Sequence, residues 1–319
     1  MRVLLTLSAV LMMFYCGYWV AGSRLLLTGV EVALNDAKAA GQIDYAGVSL
    51  KGFPSRFDVT VDAPSLTSPD GRLAWSAPFL QVMALSYRPT HVIAVWPHEQ
   101  TVDVAGDTIA VTTVDMRASA TVGATTALPL DHSTLEVKEG ALASGAGWSA
   151  RFADALFATR AAGADGTRHD LWLSVGGLVL PGPPGAVPGL GLKGDATAGF
   201  SAPLDRFAAQ AGAQVTDLSL KTLTVTMGTA QLTAAGDLTI GASRMPEGRI
   251  LISVKDWTAF LNAAVAAGLI APKVAPTWAE GLTRYAALSG DPKVLELPLV
   301  FQSGMMSLGP FPLGPAPAL

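Results

Sequence analysis

A chain of 319 residues, half of them hydrophobic and only 14% charged, can bury a sizeable core but is poorer in charge than ordinary soluble domains, where about 25% is usual. Its net charge of −4, with no Lys/Arg cluster, removes the electrostatic basis for a nucleic-acid partner. One cysteine, Cys16, lies in the N-terminal apolar stretch, so the rest of the chain can form no disulfide and no thiolate metal site.

Residues 3–23 carry no charge, and Leu4, Leu5, Leu7, Val10, Leu11, Met12, Met13 and Phe14 dominate them. Roughly 21 residues at 1.5 Å each reach about 31 Å, the thickness of a bilayer's hydrocarbon core. Tyr15, Tyr18 and Trp19 crowd the far end, where an aromatic belt meets headgroups, and Arg24 closes the run. A cleaved signal peptide would need a small-x-small site, and Trp19 two positions before Ala21 opposes one. Lipoprotein processing at Cys16 is opposed by the bulk of Phe14 and Tyr15. An uncleaved single-pass anchor remains, and a very short N-terminal tail places the body in the periplasm. The charge count is weak support, because Arg2 is balanced by Arg24 and Lys38.

From Arg24 to about Ala40 the spacing of Leu26, Leu27, Val30, Val32, Ala33 and Ala37 predicts a helix that continues from the anchor or hinges against it, stopped by Gly41. The period then changes to two. Residues 56–62 alternate cleanly as a half-buried strand. Residues 79–85 (apart from Gln81) and 92–96 are apolar on both faces. Residues 101–104 and 108–122 form a pair across the turn Ala105-Gly106-Asp107, and further strands fall at 134–137, 148–157 and 170–175. Short links imply an antiparallel meander.

Pro181-Gly182-Pro183-Pro184-Gly185, with Pro188 and Gly189, is the strongest punctuation, marking a boundary between lobes or a surface crossing. Beyond it come a short helix over 203–211, a hairpin of 218–227 with 229–240, and a strand over 249–255. Asp256 is positioned to cap a helix from Trp257 to Ala267 that Gly268 ends, and Thr277 with Glu280 has capping-box spacing for a helix ending near Gly290. Residues 294–302 and 305–308 close the fold around Gly304. The Pro-rich tail from Pro310 is unsuited to a central strand and is expected to run extended along the surface.

The expected fold class is therefore mainly β with accessory helices (α+β): a large curved antiparallel sheet or meander behind one N-terminal transmembrane helix. Its divisions are an anchor over 1–23, a β-rich lobe with a leading helix over 24–180, and a C-terminal β-rich lobe with two helices over 190–319.

The chemistry-bearing patterns are thin. Gly189-Leu190-Gly191-Leu192-Lys193-Gly194 spells GxGxxG, but a dinucleotide site needs a strand before and a helix after it. A Pro-rich crossing precedes this one and a Thr/Ala segment follows, so a glycine-rich turn is expected. His91, His98, His132 and His169 show no tight ligand spacing; His91 and His98 flank the strand with Trp96 and could meet across a turn, though two exposed loop histidines are the stronger reading. Glu136 and Glu139 suit strand-edge solvation. No GxSxG elbow occurs. Trp75, Phe79, Trp96, Trp148, Phe152 and Trp172 belong to the core on base rates. No catalytic, cofactor-binding or metal residue is assigned, and no cofactor is expected. Strands apolar on both faces need cover from helices, a second sheet or a bound amphipathic molecule, and this alone points towards a ligand.

Gly52-Phe53-Pro54-Ser55-Arg56-Phe57, Trp75-Ser76-Ala77-Pro78 and Tyr87-Arg88-Pro89-Thr90-His91-Val92-Ile93 resemble the bacterial family called domain of unknown function 2125. So do Gly236-Asp237-Leu238-Thr239-Ile240, Val254-Lys255-Asp256-Trp257 and Gly309-Pro310-Phe311-Pro312-Leu313. The resemblance implies an inner-membrane-anchored envelope protein without an assigned reaction. It also suggests kinship with the AsmA-like group, whose sheets are thought to shield lipid tails, a link that rests on fold analogy. The expectation is a non-enzymatic, membrane-tethered protein that holds lipid or another amphipathic molecule in envelope maintenance. An envelope scaffold binding other proteins is the alternative, and a hydrolase using His91 and His98 a distant third.

Overall fold

The computed structural model of the protein describes residues 1–179, 189–241, 243–266, 270–288, 291 and 293–318. The Pro/Gly punctuation at 181–188 and the expected helix stops at Gly268 and Gly290 lie outside them. The fold is mainly β, with antiparallel ladders, as the period-2 patterning implies, and three helices among the described residues. It divides into two compact units, one of Met1–Thr121 with Ala141–Trp148, the other of Val122–Gly140 with Ser149–Leu319.

The first unit opens with α1 (Arg2–Ala39), one unbroken helix of 38 residues that is long and apolar enough to cross a membrane. The expected anchor and the helix after it are therefore continuous. Its Leu27, Val30, Leu34 and Ala37 are half-buried, whereas Leu26, Val32 and Ala33, expected on the packed face, are exposed. Then follow β1 (Ile43–Asp44), β2 (Gly47–Lys51), β3 (Arg56–Asp62), β4 (Ser65–Thr67), β5 (Leu73–Ser76), β6 (Phe79–Leu85), β7 (Arg88–Val95), β8 (Glu99–Val104), β9 (Asp107–Thr112) and β10 (Asp115–Val122). One ladder runs β2-β3-β6-β7-β10. Another joins β1-β4-β5-β8-β9 and ends on the last residues of β11 (Leu130–Ser144). Ala105 and Gly106, with φ of 52° and 91°, make the tight turn between β8 and β9 that the sequence signals. The long strand expected over 108–122 is broken between β9 and β10.

By register, Val59, Val82, Ala94 and Ala118 share one face of the first ladder. The other face is mixed rather than apolar: Met83, Ile93 and Val95 share it with Thr60, Gln81, Ser119 and Arg117. Gln81 donates to the Thr60 hydroxyl at 3.2 Å, and Ile93 lies open. These strands therefore do not demand two covers.

The second unit is the meander: β12 (Ser149–Ala161), β13 (Arg168–Leu178), β14 (Leu190–Phe200), β15 (Val215–Met227), β16 (Ala230–Ile240) and β17 (Pro246–Lys255) pair in chain order. After α2 (Trp257–Ala266) and α3 (Ala275–Leu288) the chain returns as β18 (Val294–Gln302), β19 (Met305–Leu308) and β20 (Phe311–Pro315). The tail thus joins the sheet beside β19 instead of lying on the surface, with Ala316 buried. Pro312 and Pro315, which lack N–H donors, sit in this last strand.

Three local expectations are corrected. Residues 203–211 form turns instead of a helix, organised by Asp205, whose carboxylate accepts the Phe207 N–H at 2.8 Å. The Asp256 side chain does not cap α2: at φ 52° its carboxylate takes the hydroxyls of Thr229 and Thr258, and its main-chain oxygen accepts from Phe260. Finally, α3 starts at Ala275, so Thr277 lies inside it, and Glu280 pairs with Arg284 one turn on.

Candidate functional site: the apolar face of the C-terminal sheet

Alternation along β12 to β18 sorts side chains onto two unlike faces. On one, the register sets Val254, Leu232, Val225, Leu192 and Val175 in one row across five strands. The next row holds Leu297, Ile252, Ala234, Leu223, Gly194 and Leu173. The opposite face is polar. There Lys221 bridges Asp170 and Asp195 at 3.2 and 3.3 Å, Arg168 pairs with Asp217, and Ser219 donates to Asp237. An antiparallel sheet of this kind has one wet side and one side that must be covered.

Over β16 to β19 the cover is α2 and α3. Trp257 and Leu261 from α2, and Leu282 and Ala286 from α3, are buried against Val254, Leu295 and Leu297. Between the helices and the sheet remains a cavity of about 200 Å³, among whose lining residues are Leu232, Ile252, Trp257, Phe260, Trp278 and Leu308. Every described residue lining it is apolar. An engineered cavity of about 150 Å³ lined this way stays dry and takes up benzene, so this one has room for a hydrocarbon group such as the end of an acyl chain. In these two rows over β13 to β15 the same face is only half covered: Leu173, Val175, Leu192, Leu223 and Val225 all retain partial exposure. Leu232, a wall of the cavity, pairs with Val225 on that half-covered stretch.

Two roomier hollows have a different character. One in the first unit, about 550 Å³, is lined partly by Ser65, Ser76, Glu99, Gln100 and Thr101. The other, about 460 Å³, contains His132, Arg160, Asp170, Asp195 and Lys221 on the polar face. Hydrogen bonds from Thr197, Lys221 and Arg160 hold the Asp170 carboxyl down at about 2, and its partners raise Lys221. A carboxylate and an ammonium that lock each other in the charged state are poor general acids or bases near neutral pH.

The structure separates His91 from His98. His91, on β7, meets the Thr121 hydroxyl at 3.1 Å, and His98, past the end of the strand, meets the Thr113 carbonyl at 3.0 Å. Six residues lie between them, and seven steps along an extended chain span about 23 Å at 3.3 Å per residue. His169, which sequence spacing leaves unremarked, is 0% exposed on the apolar face, with Nδ1 3.3 Å from the Thr159 hydroxyl and, among the described residues, no hydrogen-bond partner at Nε2. Of Gly189-Leu190-Gly191-Leu192-Lys193-Gly194, Leu190 to Gly194 open β14 and Leu190, Leu192, Lys193 and Gly194 pair on both sides, so the motif is strand rather than turn. Among the aromatics, Trp75 and Trp148 donate from half-buried positions to Gln100 and Asp107, whereas Trp172 stands 39% exposed. Among the described residues no group of three or more His, Cys, Asp or Glu could hold a metal ion.

At the other end of the chain, α1 is fastened to the first unit by its aromatic residues. Tyr15 hydroxyl lies 2.8 Å from Ser86 Oγ, Tyr18 donates to the Ser86 carbonyl at 2.7 Å, and Trp19 Nε1 donates to the Arg56 carbonyl at 2.8 Å. Trp19 also meets Phe53 edge-on and stacks on Phe57. These rings, expected to face headgroups, are tied to protein.

A family model described as "Uncharacterized protein conserved in bacteria (DUF2125)" matches residues 19–317, beginning at the tryptophan that reaches Arg56. No curated protein and no solved structure matches the chain.

Proposed function

The chain belongs to the DUF2125 family, and from that premise we propose that it is a single-pass inner-membrane protein, its body in the periplasm, that holds the hydrocarbon part of a lipid or another amphipathic molecule without transforming it. The anchor reading is supported by α1, whose apolar segment is uncharged for the length of a bilayer core. The observation that carries the binding reading is the all-apolar cavity beneath α2 and α3, continued by register onto half-covered strands. A polar ligand would find no acceptor side chain among the described lining residues and at most the indole N–H groups of Trp257 and Trp278, and would lose several kcal/mol of hydration on entry. A tail loses none. The paired charges on the opposite face offer no poised acid, base or nucleophile, which supports binding without chemistry.

The test uses the full chain in vesicles containing a phospholipid with a diazirine at the end of one acyl chain. Illumination is expected to label peptides bearing Trp257, Phe260 or Trp278, and Ala264→Leu, which fills the cavity, to reduce that labelling while leaving labelling of α1 unchanged. Labelling confined to α1 would refute tail binding.

A further inference from the structure

We propose that one end of the first unit is itself a membrane-contacting surface: the loop Gly52–Arg56 and the turn at Ser86–Tyr87 sit in the lipid interface beside α1. The inference rests on reading α1 as a membrane span.

The reason is length. Docking begins at Tyr15, so the apolar helix free of the body covers only residues 3–14, roughly 12 residues or about 18 Å. A hydrocarbon core of about 30 Å needs about 20 residues, and the uncharged run supplies them only by continuing to Ser23. Between Tyr15 and Ser23 the helix is packed on the sheet: the Phe53 ring lies 5.2 Å from that of Trp19, and Gly22 is against Phe57. Whatever depth that stretch of helix occupies, the loops fastened to it occupy too.

The loops are built for that depth. Phe53 is 57% and Tyr87 68% exposed, and Pro54, Leu85 and Pro89 are also open. Arg56 pairs with Leu85, and Leu85 with Arg88, so both turns lie at one end of the ladder. Lys51 and Arg88 stand exposed around them, where they suit anionic headgroups, while Arg56, also exposed, is paired with Asp58; residues scattered in sequence are gathered by the fold. Irregular backbone at membrane depth must have its polar groups satisfied by protein. Here the Ser86 N–H donates to Ser55, its carbonyl accepts from Tyr18, and its hydroxyl meets Tyr15. The Arg56 N–H donates to Gly52, and its carbonyl accepts from Trp19. Ser86 is 0% exposed. The three aromatic side chains of α1 thus spend their polar atoms on loop groups that lipid could not solvate.

The experiment uses the full chain with Cys16→Ala and one introduced cysteine at a time, labelled with an environment-sensitive fluorophore, in phosphatidylethanolamine/phosphatidylglycerol vesicles. Phe53→Cys and Tyr87→Cys report on the loops, and Pro89→Cys repeats the reading should loss of the Phe53 ring disturb Trp19. Arg72→Cys, in the β4–β5 turn beyond the other end of the ladder, is the exposed control, and Leu7→Cys the buried one. Labels at 53, 87 and 89 are expected to show a several-fold drop in iodide quenching relative to 72, together with quenching by nitroxide lipids. If those three are as open to iodide as 72 while position 7 is shielded, the surface proposal is overturned and the span stands. If position 7 is also open, the span reading fails and takes the proposal with it.

Discussion

Tyr18, in the helix, donates a 2.7 Å hydrogen bond to the main-chain oxygen of Ser86, 68 residues further along the chain. That oxygen belongs to a residue with no exposed surface, so water cannot replace the phenol if it is removed. Burying an unsatisfied carbonyl costs about 1–3 kcal/mol. Tyr18→Phe is therefore expected to lower the thermal midpoint of the detergent-solubilised full chain, and Tyr18→Phe with Trp19→Phe to lower it further by freeing the Arg56 carbonyl as well. An unchanged midpoint in the double variant would mean that the dock adds nothing to stability.

The core beneath α2 and α3 already contains a hollow, so it has limited means of closing around a second one. Leu297 is buried between the sheet and these helices, and Leu297→Ala is expected to destabilise by about 2–5 kcal/mol, read as a lower urea midpoint. Small apolar molecules should recover part of the loss by filling the space, which a co-titration with benzene would detect.

Asp170 makes stability depend on pH. Its carboxyl stands at about 2 in the folded protein against an ordinary 3.8, held there first by Thr197 and then by Lys221. The ionised form favours folding, so the contribution is complete above about pH 4 and disappears as the pH falls through about 2. Full conversion of the shift gives about 2 kcal/mol, and solvent screening of these partly exposed groups brings it to the order of 1 kcal/mol. Asp170→Asn should flatten the acid limb of a stability–pH profile between pH 4 and 2 relative to the parent, and an unaltered limb would remove Asp170 from the account.

Gly140 lies beneath the ring of Phe152, where an added Cβ would overlap the ring carbons. Gly140→Ala is expected to cost about 1–3 kcal/mol through overpacking. Phe152→Leu in the same chain should restore much of the loss, so the two changes together should fall short of their sum. Strict additivity in a double-mutant cycle of thermal midpoints would show that the ring moves aside freely.

How far all this could be read from the residues themselves depends on the range of the interaction. The uncharged stretch before Arg24 and the alternation of residues 56–62 are local patterns, and both became the elements they implied. The same holds for the turn at Ala105-Gly106, where a positive φ suits glycine. Failures occur where a distant partner decides. Gly191 and Gly194 look like turn residues, yet in β14 a Cβ at Gly191 would collide with Thr226 from the neighbouring strand. Thr277 and Glu280 are a local exception: they have capping spacing, but α3 begins earlier because Trp278 bonds back to Val274. Nothing beside Tyr15, Tyr18 or Trp19 in sequence shows that Ser86 and Arg56 will come to meet them. The apolar face is the clearest case: each strand shows its own alternation, but only the register places Leu232 beside Val225 and thereby joins the cavity to the half-covered strands.

The unbroken course of α1 has a mechanical consequence. A 38-residue helix extends about 57 Å, and no hinge interrupts it between its apolar start and its end at Ala39. A flexible tether would let its cargo tumble. On the proposed span, this stem works instead as a rigid mast stepped into the first unit, and a lean that the bilayer imposes on it is passed on to that unit. Thicker or thinner membranes should therefore re-aim the attached strands, and hydrophobic mismatch becomes a lever on the orientation of this part of the protein.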